Sequence, residues 1–154
     1  MRLRTIKFRG KSIYDEEWLY GSLVKIEKDR YAVIPPLNDI EIGKSIGMYE
    51  VYPETIGQFT GLCDESGKEI YEGDIINFTF HSDMKEHAHL ENRPEITRPQ
   101  IIEFYDCRFV LHDFTLDKEN VTYFSFYFSY KFRHRYEIAG NIYDHPDLIK
   151  EEDK

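Results

Sequence analysis

Hydrophobic and polar positions alternate with a period of two along much of this chain, the signature of strands with one buried face. The alternation is cleanest over 121–132, where Phe124, Phe126, Phe128, Tyr130 and Phe132 share one parity and Tyr123, Ser125, Tyr127, Ser129 and Lys131 the other. This predicts a Phe-lined core face; the alternative, an exposed aromatic platform for stacking bases, would leave large rings in water. The pattern recurs after Gly73-Asp74, with Ile76, Phe78 and Phe80 set against Asn77, Thr79 and His81. Residues 3–9, 17–26, 31–34, 48–51, 100–105, 108–112 and 137–143 read as further strands. Gly21 interrupts the second of these, as suits a bulge or a close backbone approach. Pro35-Pro36 stops 31–34, residues 37–47 read as loop, and Asp106-Cys107 breaks the pair 100–105 and 108–112.

Turn chemistry punctuates the middle of the chain. Asp64 and Gly67 occupy the first and fourth positions of a type I turn, and Glu72-Gly73-Asp74 marks a second tight turn. Near the end, Asp144-His145-Pro146-Asp147 predicts a short helix, because proline suits the first helical position and an acid favours the positive helix start. Residues 82–99 are mostly polar, contain Pro94 and Pro99, and read as a long loop. Residues 150–154 read as a frayed charged tail. The resulting fold class is mostly β: small twisted antiparallel sheets or a barrel-like meander with a short C-terminal helix, in a single domain over 1–154.

Composition supports that picture. With 154 residues the chain can bury one core. Its hydrophobic fraction of 41% is modest, but 12 Tyr and 11 Phe each bury a large area. A formal charge of -9 argues against general affinity for nucleic acid or anionic membrane. The charge is uneven, however. Arg2, Arg4, Lys7, Arg9 and Lys11 cluster without an acid, as do Lys131, Arg133 and Arg135 with His134. Such segments either neutralise acidic neighbours or, interleaved with aromatics as in 130–136, offer a nucleic-acid surface. No apolar run approaches the length of a membrane span, and Met1-Arg2-Leu3-Arg4 lacks an apolar leader core, so a cytoplasmic protein is expected.

Candidate chemistry is sparse. His81, His87 and His89, near Asp83, Glu86 and Glu91, combine imidazole and carboxylate as zinc or another divalent ion would require; a solvated polar loop has the same composition. Glu72 and Asp74 straddle Gly73 and would suit acid–base work if burial split their pKa values, whereas a turn-capping Asp74 and a solvated Glu72 need no chemistry. Cys63 and Cys107 are far apart and outside any CxxC spacing, so neither a disulfide framework nor a cysteine zinc site is expected. Cys107, between two strands and beside Arg108, reads as a core or edge thiol. No nucleophile elbow, P-loop or dinucleotide fingerprint is present. No catalytic residue and no cofactor is assigned.

Segments in order along the chain resemble the YopX family of phage and prophage proteins. They are Ile6-Lys7-Phe8-Arg9-Gly10-Lys11 with Glu17-Trp18-Leu19-Tyr20-Gly21-Ser22-Leu23; Thr55-Ile56-Gly57-Gln58-Phe59-Thr60-Gly61-Leu62 through Gly67-Lys68-Glu69-Ile70-Tyr71-Glu72-Gly73-Asp74-Ile75; and Ile138-Ala139-Gly140-Asn141-Ile142-Tyr143-Asp144 with Pro146. The resemblance implies a mostly β protein of phage origin and supplies no catalytic residue. The family commonly has Asn before the proline of the last helix, where this chain has His145, a weaker cap. The expected function is an accessory role through protein–protein contact, with an unidentified host or phage protein or as a homo-oligomer. Nucleic-acid binding through the two basic segments, on a small barrel, is the alternative.

Overall fold

The structure is a computed structural model that describes residues 3–37, 46–81, 94–113 and 134–149, with only the backbone at 80 and 81. The described strands are β1 (Phe8–Lys11), β2 (Trp18–Glu27), β3 (Arg30–Ile34), β4 (Tyr49–Val51), β5 (Gly57–Cys63), β6 (Glu69–Tyr71), β7 (Asp74–His81), β8 (Glu95–Tyr105), β9 (Arg108–His112) and β10 (Tyr136–Asn141). They form two open sheets, in the orders β4-β3-β2-β1-β5-β6 and β10-β7-β8-β9, and every registered pairing is antiparallel. Neither sheet closes into a barrel. The expected C-terminal helix is a single 3-10 turn, Pro146–Ile149. Leu148 N–H donates to the His145 carbonyl at 3.1 Å, an i to i+3 bond, and His145 lacks the side-chain oxygen that would cap a longer helix.

The chain divides into two compact units, Met1–Gly61 and Leu62–Lys154. In the first, Ala32, Val33 and Val51 are buried. Val51 comes so close to β1 that a Cβ on Gly10 would lie 3.0 Å from it. Gly21 shows the close backbone approach expected of it: a Cβ there would sit 1.9 Å from the Ile34 carbonyl oxygen. Thr55, in a 3-10 turn at Pro53–Thr55, ties down β1 by accepting from Lys11 N–H at 2.9 Å while its hydroxyl donates to the Tyr52 carbonyl at 2.7 Å. Arg30 grips Glu50 through two bonds of 2.7 Å, and that hydrogen bonding holds the Glu50 carboxyl below its ordinary range.

The main core cluster of the second unit lies on one face of the four-stranded sheet. Ile70, Ile76, Phe78, Ile102, Leu111 and Tyr136 are buried together, with Leu62, Phe109 and Ile138 packed against them. Phe78 and Tyr136 pack with ring centroids 5.5 Å apart and planes tilted by 45°, and burial of each such side chain contributes about 1.5–3 kcal/mol. The parity predicted for β7 thus holds at Ile76 and Phe78, while Asn77 and Thr79 on the opposite face are only half-buried.

Boundaries differ from the sequence expectation, most of all at β1 and β8. β1 starts at Phe8 rather than Leu3 and runs through Gly10, because Val51 packs into the space that a side chain at 10 would fill. β8 starts at Glu95, so residues 95–99, expected as loop, are strand paired with β7. The Phe-rich stretch 121–132, the segment 82–93 and the tail 150–154 lie outside the described residues.

Candidate functional site

The described residue types that meet in one place do so at the Asn77–Thr79 end of one face of the four-stranded sheet, a face that also buries Ile75, Ile101 and Val110 further along. The register sets Glu137 opposite Asn77, and Thr79 opposite Thr97 with their hydroxyls hydrogen-bonded at 2.7 Å. The turn after β5 closes one end of this face, and Asp64 makes that possible. Its Oδ1 accepts from Ser66 Oγ at 2.7 Å, Lys68 N at 2.9 Å and Ser66 N at 3.0 Å, fixing the turn. Its Oδ2 accepts from Ile138 N–H at 3.4 Å, and Glu65 N–H donates to the Tyr136 carbonyl at 3.2 Å, so the turn is tied to β10. Burial pushes the Asp64 carboxyl up. The Ser66 hydroxyl and the N–H groups of Lys68, Ile138 and Ser66 push it further down, and it stays below its ordinary value of 3.8.

The result is a cleft of about 290 Å³ lined by Glu65, Asn77, Thr79, Glu95, His134, Arg135, Tyr136 and Glu137. Its lining carries three carboxylates against one guanidinium. That guanidinium is bonded elsewhere: Arg135 donates from Nη1 to the Thr79 carbonyl and from Nε to His134 Nε2, each at 3.3 Å. Among the described residues the Glu65 and Glu137 carboxylates have no hydrogen bond or ion pair. A concave surface with an excess of carboxylates attracts positively charged groups of other molecules.

The basic residues of β1 stand differently. Lys7 Nζ lies 5.0 Å from the centre of the Phe59 ring, while Arg9 and Lys11 lie 4.7 and 5.6 Å from the Trp18 ring. Arg9 and Lys11 share one parity of β1, Lys7 just precedes it, and all are laid over rings of strands in the same sheet. Arg9 is 5% exposed and so has little surface to offer a phosphate. Arg4 is exposed. Of the predicted nucleic-acid set, Arg2, Lys131 and Arg133 lie outside the described residues, and Arg135 is committed to the cleft.

The remaining candidates resolve as follows. Asp74 is buried and accepts from Tyr71 N–H at 2.8 Å, the turn-capping alternative rather than an acid–base pair with half-buried Glu72. Cys107 is not a core or edge thiol: it sits exposed at the tip of the β8–β9 hairpin with φ 62, beside Asp106 with φ 49. Both central residues of this two-residue turn take positive φ, as a mirror-image hairpin turn demands. Of the metal candidates, His87 and His89 and the side chain of His81 lie outside what is described. Among the described residues no group of His, Cys, Asp and Glu is arranged to hold an ion. Glu65 and Glu137, the carboxylates that matter to the cleft, carried no signal of their own in the sequence.

Among the described residues no helix is long and apolar enough to cross a membrane. No curated protein shows significant similarity to the chain. Among solved structures it is similar to protein EF1440 from Enterococcus faecalis, with 25% identity and a TM-score of 0.51, over 96% of this chain and 100% of that one. Residues 7–150, nearly the whole length, match the family described as YopX protein. On that match the chain belongs to the YopX family.

Proposed function

We propose that the protein is a non-catalytic accessory protein of a phage or prophage that acts in the bacterial cytoplasm by contacting another protein, of the host, of the phage, or a second copy of itself. The observation that carries this reading is the cleft beside β7 and β10, where among the described residues Glu65 and Glu137 are unmatched although Arg135 lines the same cleft. A net charge of -9 favours a basic partner surface and speeds encounter with it. The test is crosslinking of the protein in cells that carry the phage element, with light scattering on the purified protein. A specific crosslinked partner or a stable oligomer is expected; a monomer without a crosslinked partner overturns the reading.

Nucleic-acid binding is a second reading, favoured by the row Lys7, Arg9 and Lys11 along β1 with exposed Arg4 next to it. Burial of Arg9 weighs against it. If it holds, single-stranded DNA or RNA is retarded at low salt and released steeply as salt rises. Absence of any retardation removes it.

A further inference from the structure

We propose that the outer side of β2 over residues 22–26 is a docking edge for an extended segment of a partner protein, with an acidic side chain of that segment set opposite Lys25. This rests on the protein-contact reading and adds to it a contact away from the cleft, with its own chemistry. β2 runs for 10 residues, Trp18–Glu27, but β1 covers it only over 18–21. From Ser22 onward β2 pairs with β3 on its other side, and among the described residues no strand covers the side that β1 has left. Parity identifies the groups that face outward there. The carbonyls of Lys7 and Lys11 point away from β2, to Phe59 N–H and Tyr52 N–H at 2.9 Å each, so Phe8 and Gly10 turn their backbone groups to Gly21 and Leu19. The same alternation along β2 directs the N–H and C=O of Leu23 and Lys25 to the uncovered side, while Ser22 and Val24 turn theirs to β3. None of residues 22–27 is buried. An edge of this kind is a template for one more strand.

Charge selects the occupant. Continued past Phe8, the register of β1 would set Ile6 opposite Leu23 and Arg4 opposite Lys25. The apolar pair suits a ladder, but like charges directly opposite each other oppose it. Residues 3–7 form no registered pair with β2, and Leu3 and Ile6 are exposed. An acid in the same place on a foreign strand turns that repulsion into attraction. Lys25 is exposed, and its Nζ lies 5.8 Å from the centre of the Tyr31 ring, on the face of the sheet that Leu23 shares. The segment that fits therefore carries an acid opposite Lys25 and, two residues away, an apolar side chain opposite Leu23. A second copy offering its own β2 is a poorer occupant. The antiparallel register that matches Leu23 with Lys25 brings the two lysines diagonal to each other, and the register centred on Lys25 sets them face to face.

The test titrates ¹⁵N-labelled protein with a soluble peptide of alternating threonine and valine that carries one central glutamate, and with the same peptide carrying lysine in its place. The backbone amides of Leu23 and Lys25 are expected to shift, and the glutamate peptide to bind about fivefold tighter than the lysine one or better. In Lys25→Glu the preference should reverse. Lys28→Glu, the same charge change in the exposed turn between β2 and β3, should keep the glutamate peptide ahead. Leu23→Pro removes an outward N–H without touching the ladder to β3 and should abolish the shifts; if it does not fold, Lys25→Glu decides alone. No binding by the wild type, equal affinity for the two peptides, a preference that Lys25→Glu does not reverse, or a dimer of the protein alone paired through β2 overturns the assignment. A cellular partner crosslinked equally to wild type and Lys25→Glu refutes the edge and leaves protein contact standing. Peptide bound at the edge, with no cellular partner and no oligomer, refutes protein contact instead.

Discussion

Removing the Asp64 carboxylate unfastens the turn that closes the cleft. Asp64 is 8% exposed and accepts four hydrogen bonds, three within the turn and the longer one from β10. A hydrogen bond to a charged group contributes roughly 1.5–3 kcal/mol, but Ser66 and Lys68 are exposed and regain water when their acceptor is lost. Discounted for that, Asp64→Ala should cost about 3 kcal/mol, a fall of about 6–12 °C in Tm for a chain of this size. Asp64→Asn keeps the shape and one acceptor and should cost about half as much. The pH dependence adds a second readout. The folded carboxyl lies below its ordinary value of 3.8, so its stabilisation is present above that value and is lost as pH falls through the folded pKa. Thermal unfolding followed by circular dichroism at pH 7 and near pH 2.5 checks both. The gap between wild type and Asp64→Ala should be wide at pH 7 and close in acid. A fall of less than about 2 °C at pH 7, or a gap that persists unchanged in acid, refutes the role given to Asp64.

Other substitutions test the packing. Gly21→Ala drives a Cβ to 1.9 Å from the Ile34 carbonyl and should cost about 3 kcal/mol by forcing β2 from β3; denaturant midpoints no lower than wild type would contradict the close approach. Cys107→Gly should raise stability by about 0.5–1 kcal/mol, since a side chain at φ 62 is strained where glycine is not, and a lower Tm would show that Cys107 makes a compensating contact. Gln100 is 1% exposed and among the described residues its Oε1 has no hydrogen-bond partner, so Gln100→Met should stabilise by about 1 kcal/mol in chemical denaturation; a loss would mean that the amide is needed.

Features set by local chemistry were legible in the sequence. The Asp64 turn forms as its residues require, with Gly67 N–H donating to the Asp64 carbonyl at 3.0 Å. Gly73 takes φ 83 in the next turn, and the alternation of Ile76 and Phe78 places them in the core. Strand limits were less legible, because tertiary packing sets them. Gly10 reads as a strand end but lies inside β1, where Val51 presses on it. Pro94 and Pro99 read as loop, yet Pro99 pairs with Asn77. β9 reaches only to His112 opposite Ile101, so among the described residues this part of β8 pairs on one side alone, the edge position in which proline is tolerated. Arg135 looked like a base for phosphate and instead bonds to Thr79 across the sheet. Glu65 and Glu137 share a cleft only through sheet register, which one sequence does not disclose.

Mapping a basic probe peptide onto the protein tests the proposed protein contact most directly. Backbone amide shifts of ¹⁵N-labelled protein, titrated with a hexa-arginine peptide that stands in for a basic partner surface, should change at Glu65, Asn77, Thr79, Tyr136 and Glu137 and leave Lys7–Lys11 and Trp18 unmoved. Changes scattered over acidic surface elsewhere, with the cleft residues silent, would contradict it.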